Sequence, residues 1–131
     1  MSHTVTIHDE STSGKILHKI MLKLEDEVTT VRKIIEARVH HEVEQYNKNL
    51  PDLFRGLVQP TEAEQTLNGF RMLKRKKIDP EKQIYAAWQS FNQNGFFVLV
   101  DDKQYESLDD EVLLENDTTV SFIKLTPLVG G

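Results

Sequence analysis

Apolar and polar residues alternate at the start of the chain. Val5 and Ile7 lie between Thr4, Thr6 and His8. After Glu10-Ser11-Thr12-Ser13-Gly14 the alternation resumes, with Ile16, His18, Ile20, Leu22 and Leu24 on one face and Leu17, Lys19, Met21 and Lys23 on the other. Period two marks a half-buried strand, and the stretch between has turn chemistry, with Gly14 free to take a positive φ. The first 24 residues are therefore predicted to form a hairpin. The period then changes to steps of three and four, in Val31, Ile34, Ile35, Val39, Val43 and Tyr46. That stripe predicts roughly four turns of amphipathic helix. Thr29 or Thr30 is the expected N-cap, Glu25, Asp26 and Glu27 lie beside the positive end of its dipole, and Asn47, Asn49 and Pro51 end it.

Residues 51–94 differ in pattern. Pro60-Thr61-Glu62 reads as a short helix start, and Asp79-Pro80-Glu81 as a stronger one, with a capping acid, a proline at the first helical position and an acid in the first turn. Ile84, Ala87, Trp88 and Phe91 give the second helix an apolar face, closed by Asn92-Gln93-Asn94-Gly95. This segment is expected to be a helical arm. It holds 7 basic and 5 acidic residues, whereas the rest of the chain carries a charge of −7, which sets the arm apart.

Strand signals return in Phe96-Phe97-Val98-Leu99-Val100, a continuous apolar run, followed by an Asp101-Asp102 turn and a short return strand at Lys103-Gln104-Tyr105. Ser107-Leu108-Asp109-Asp110 reads as a loop or one helical turn. A last strand runs from Thr118 to Leu125, with Val120 and Phe122 on one face and Ser121, Ile123 and Leu125 on the other. Thr126-Pro127-Leu128-Val129-Gly130-Gly131 follows as an expected flexible tail.

Composition narrows the reading. The 131 residues, 38% hydrophobic and 28% charged, suit one α+β domain over 1–131. The absence of cysteine excludes disulfides, cysteine-held metal sites and a thiol nucleophile. A net charge of −5 argues against bulk attraction to nucleic acid, and no stretch approaches the roughly 20 apolar residues of a membrane helix. The first residues lack the pattern of a signal peptide, so a cytoplasmic protein is expected.

The order strand, strand, long helix, insertion, strand, short strand, strand, Gly-Gly resembles the β-grasp fold of ubiquitin and of the small sulfur-carrier proteins over residues 1–50 and 95–131. Val28-Thr29-Thr30-Val31 starts the helix directly after the hairpin, and Asn116-Asp117-Thr118-Thr119-Val120-Ser121-Phe122-Ile123 leads to Pro127-Leu128-Val129-Gly130-Gly131. That ending is similar to the small subunit of molybdopterin synthase. The resemblance implies a mixed sheet packed on one long helix, here with the 51–94 insertion. It also implies that an adenylating enzyme of the ubiquitin-activating type uses ATP to activate the Gly131 carboxylate. The product then passes through a cysteine thiolate to a target amine, with a conjugating enzyme and a deconjugating protease as further partners, or to sulfide, giving a thiocarboxylate. On either route the protein is a substrate and carrier, not an enzyme, and binds no cofactor itself. A non-conjugated interaction module is the third reading.

The residues support this chemistry independently of the family. Two glycines without Cβ let a backbone pass a narrow channel. Pro127 stiffens the exit from the strand, and Leu128 and Val129 offer side chains to a partner groove. Phe97, Leu99, Ile123 and Leu125 form a candidate recognition face, which is either a partner site or covered by the arm. Lys74-Arg75-Lys76-Lys77 is read as a solvated face, and nucleic acid is not an expected partner. His40 and His41 point about 100° apart on a helix and do not share a metal easily. His3, His8 and His18 lie in the hairpin, and no metal site is expected. No spacing suggests a catalytic constellation.

Overall fold

The computed structural model describes residues 3–66 and 69–125. The chain is α+β, with a mixed sheet and two helices. Its backbone divides into two compact units, Met1–Ile34 with Ser90–Gly131, and Ile35–Gln89.

The first unit is built on a five-stranded sheet. Strands β1 (His3–Glu10) and β2 (Ile16–Leu24) form the predicted hairpin, with Gly14 at φ 86° in its turn. Strands β7 (Phe96–Val100), β8 (Lys103–Tyr105) and β10 (Thr119–Lys124) complete the order β2-β1-β10-β7-β8. β10 is central, parallel to β1 and antiparallel to β7. Val100 pairs with Lys103 across the two-residue turn Asp101-Asp102, both at positive φ, as a tight hairpin of this twist requires. Asp101 Oδ1 accepts the Thr119 amide at 2.9 Å, which ties this turn to the central strand.

Register fixes the two faces. Ile7 pairs with Val120, and Val120 with Val100; Phe122 pairs with Val98. All five are buried. Phe96 stacks at a tilt on both Phe91 (5.8 Å between centroids) and Phe122 (5.9 Å). Two short strands, β3 (Val28–Thr30) and β9 (Glu111–Leu113), make a separate ladder beside the start of helix α1 (Val31–Asn49). The first-turn amides of α1, which have no partner within a helix, donate to the carbonyls of Asp110 (from Val31, 3.1 Å) and Leu108 (from Arg32, 2.9 Å). Thr30 Oγ1 accepts from Lys33, so of the two expected caps it is Thr30 that serves.

The second unit departs from the expected helical arm. Residues 51–94 contain helix α2 (Pro80–Asn92), capped by Asp79 as predicted. They also contain a three-stranded antiparallel sheet, β4 (Leu53–Phe54), β6 (Gly69–Met72) and β5 (Ala63–Thr66), in the order β4-β6-β5. Pro60-Thr61-Glu62 starts no helix. Glu62 takes a positive φ of 58° and the chain turns into β5. The physical reason is the Phe54–Phe70 cross-strand pair, both rings buried, with Tyr46 of α1 meeting Phe54 edge-on at 5.4 Å. Gly56 is required here, because a Cβ would collide with the Phe54 ring.

Two polar groups hold this unit from inside. Arg38 and Glu42, one turn apart on α1, are 1% and 7% exposed. Glu42 Oε2 accepts from Arg38 Nε at 3.3 Å and its Oε1 accepts the Leu57 amide at 3.0 Å. The Tyr46 hydroxyl is buried without a hydrogen-bond partner among the described residues. Burial pushes its pKa above 10.0; Arg75 nearby opposes that and Asp52 adds to it.

Two outcomes follow from this packing. Glu42→Ala removes the carboxylate that accepts from the buried Arg38 guanidinium and from the Leu57 amide, so chemical denaturation should show a loss of about 3 kcal/mol, and a loss below about 1 kcal/mol would contradict that role. For Tyr46 the folded pKa lies above the unfolded one. The stability tied to its neutral form is therefore complete below 10.0 and falls as pH rises beyond it. Tyr46→Phe should lose less stability than the parent between neutral and strongly alkaline pH, measured by denaturant melts.

Candidate functional site

The outer face of the five-stranded sheet is assembled by register. Ile123 pairs with Phe97, and Ser121 with Leu99. On the other side of β10, Glu10 pairs with Ile123 and His8 with Ser121, and Lys19 of β2 stands opposite His8. One face thus carries an apolar centre, Phe97, Leu99 and Ile123, beside a polar flank of His8, Glu10 and Lys19. His8 Nδ1 lies 3.9 Å from Glu10 Oε2. The three apolar residues are half-buried, and Leu125, beyond the end of β10, is 46% exposed. The structure therefore brings three of the four predicted face residues together on the sheet, with Leu125 following them. Ile16 and Met21, exposed on β2, extend apolar surface toward the sheet edge.

The strand leading to Leu125 is anchored at its end. Asp9 is buried on the inner face, and its Oδ2 lies 3.7 Å from Lys124 Nζ, the last residue of β10. This pair was not foreseen in the sequence. Its only signal was an acid in the inward phase of the alternation of β1. The tail residues Pro127, Leu128, Val129, Gly130 and Gly131 lie outside the described residues.

Other candidates are placed as follows. In the cationic run, Arg75 pairs with Asp52, and Lys74 (3.8 Å) and Lys76 (3.3 Å) both pair with Glu62. Three of the four cations are thus engaged by carboxylates of the same unit. His40 faces Glu44 at 3.7 Å. Among the described residues no group of three or more His, Asp or Glu is arranged to hold a metal ion, and no helix is long and apolar enough to cross a membrane.

No protein-family model, curated protein or solved structure matches the chain.

The two faces of β10 should respond differently to substitution. Phe122→Ala, which empties the inner face, should cost about 4 kcal/mol. Ile123→Lys, on the outer face, should cost no more than about 1.5 kcal/mol, because the longer side chain reaches water. Equal losses in denaturant melts would contradict the register.

Proposed function

We propose that the chain is a ubiquitin-like β-grasp protein whose Gly131 carboxylate, exposed as the chain's own end or by cleavage after it, is activated by an adenylating enzyme and joined to target amines. The observation that carries this reading is the placement of the last strand. β10 lies in the middle of a mixed sheet, parallel to β1, and a long helix follows the first hairpin. A tail that continues a central strand is held at its root by ladders on both sides. The Asp9–Lys124 pair adds to that hold.

In this reading the Gly131 carboxylate attacks the α-phosphate of ATP, pyrophosphate leaves, and an acyl adenylate forms. A thiolate of the activating enzyme displaces AMP to give a thioester. A lysine amine of the target then forms the amide and releases the thiol. The outer face of Phe97, Leu99 and Ile123, with Leu125, is the recognition surface for these enzymes. Pro127, Leu128 and Val129 guide the tail into their channel. A sulfur-carrier role is the second reading, favoured by the Pro127-Leu128-Val129-Gly130-Gly131 ending. There, sulfide displaces AMP and leaves a thiocarboxylate.

The test is incubation with ATP and the cognate activating enzyme, followed by mass spectrometry. Trypsin cuts after Lys124, so conjugation should leave Leu-Thr-Pro-Leu-Val-Gly-Gly on a target lysine. Exchange of one oxygen for sulfur at the carboxyl end would support the carrier instead. Deleting Gly130 and Gly131 should abolish either product. Biological activity that survives this deletion, with neither product formed, would overturn both readings and leave an interaction module acting through the outer face.

A further inference from the structure

Within the second unit, one face of α1 lines an open groove of about 480 Å³. His40, Val43, Glu44, Asn47 and Lys48 form its helical wall, at the spacing of a single helix stripe, and Lys77 and Pro80 form the other. The second wall is fixed in place by Asn47, whose Nδ2 donates to the Ile78 carbonyl at 3.0 Å and whose Oδ1 accepts the Ile78 amide at 2.8 Å. Both polar ends of that side chain are used, so the groove is a built feature and not a gap between loose loops.

Its charge is unlike that of the surrounding surface. Lys74, Arg75 and Lys76 are each paired with a carboxylate of their own unit, whereas Lys77, next in sequence, and Lys48 on the opposite wall make no ion pair among the described residues. The groove also carries one carboxylate, Glu44, which lies 3.7 Å from His40. Two cations outside any ion pair among the described residues, against the one carboxylate, thus flank the apolar lining of Val43 and Pro80, in a protein of net charge −5.

We propose that this groove binds an extended acidic peptide segment of a partner protein, an apolar residue flanked by two carboxylates. The dimensions agree with such an occupant. From His40 to Lys48 the wall rises about 12 Å, at about 1.5 Å per helical residue. That is the length of about three to four extended residues, at about 3.3 Å each. Side chains alternate in an extended segment. The central apolar side chain faces Val43 and Pro80, and the two acids turn outward to the rim, one toward Lys48 and one toward Lys77. The charge complementarity and the open form of the groove favour this occupant over an enclosed small molecule. The proposal is independent of the reading of the tail.

The test is an amide NMR titration of the full chain with acetyl-Asp-Leu-Asp-amide, with acetyl-Asn-Leu-Asn-amide and inorganic phosphate as separate arms. The acidic peptide should shift Val43, Asn47, Lys48 and Lys77 together. Its affinity should fall about fivefold when Lys48→Gln and Lys77→Gln are combined, the size expected for losing two exposed ion pairs. Lys82→Gln, a cation outside the groove, should leave it unchanged. Added salt should weaken binding, since both cations are exposed to screening. No shifts up to about 10 mM peptide, the weak end of detectable binding, would overturn the proposal. So would equal shifts from the neutral peptide or from phosphate, or indifference to the two lysine substitutions.

Discussion

The parallel pairing of the first and last strands is the constraint on which the first unit depends. Thr6 to Glu10 of β1 run beside Thr119 to Ile123 of β10 in continuous register. A parallel pair needs a crossover, and here nearly the whole chain supplies it. Closing so long a loop is entropically unfavourable, and the compensation is burial. Ile7, Val120 and Phe122 are fully buried along the seam, and Val98 is buried against the other side of β10. Because side chains alternate at period two, a slip of one residue would exchange Phe122 for Ile123 on the inner face and reverse every role assigned to β10.

The same seam ties structure to proposed function. β10 is paired on both sides as far as Ile123 and with β7 as far as Lys124, so the chain leaves the sheet at Leu125. The Asp9–Lys124 pair lies at that point, and its carboxylate is buried while its amine stays partly in water. The outer face and the root of the tail are adjacent parts of one strand. In the proposed reading, a partner that grips Ile123 and Leu125 is held where the chain leaves the sheet.

The elements legible in the sequence are those with a strong period and a large apolar share. The hairpin, both helices, the apolar run of β7 and the Asp101-Asp102 turn were readable because each residue's neighbours repeat the same signal. The small sheet of β4, β5 and β6 was not. Its strands are two to four residues long and largely exposed, so no alternation has room to develop. Its cause, the cross-strand pairing of Phe54 with Phe70 and the edge contact of Tyr46 on Phe54, joins residues far apart in the chain. Arg38 and Glu42 were hidden for a different reason. They occupy positions beside the apolar stripe that would ordinarily face water, and their mutual pairing and the Leu57 amide, which lies outside the helix, help to make their burial tolerable. The candidate face was legible through the phases of β7 and β10. The groove on α1 was not, since it depends on Asn47 holding a loop thirty-one residues away.

Cross-strand nuclear Overhauser contacts in the labelled protein test the central seam most directly. The account predicts contacts joining Ile7 to Val120 and Asp9 to Phe122 in parallel register, together with Val98 to Phe122 on the other side of the same strand. An edge position for β10, or contacts that pair it with β1 in the opposite direction, would contradict the account and remove the support for a handle rooted in the middle of the sheet.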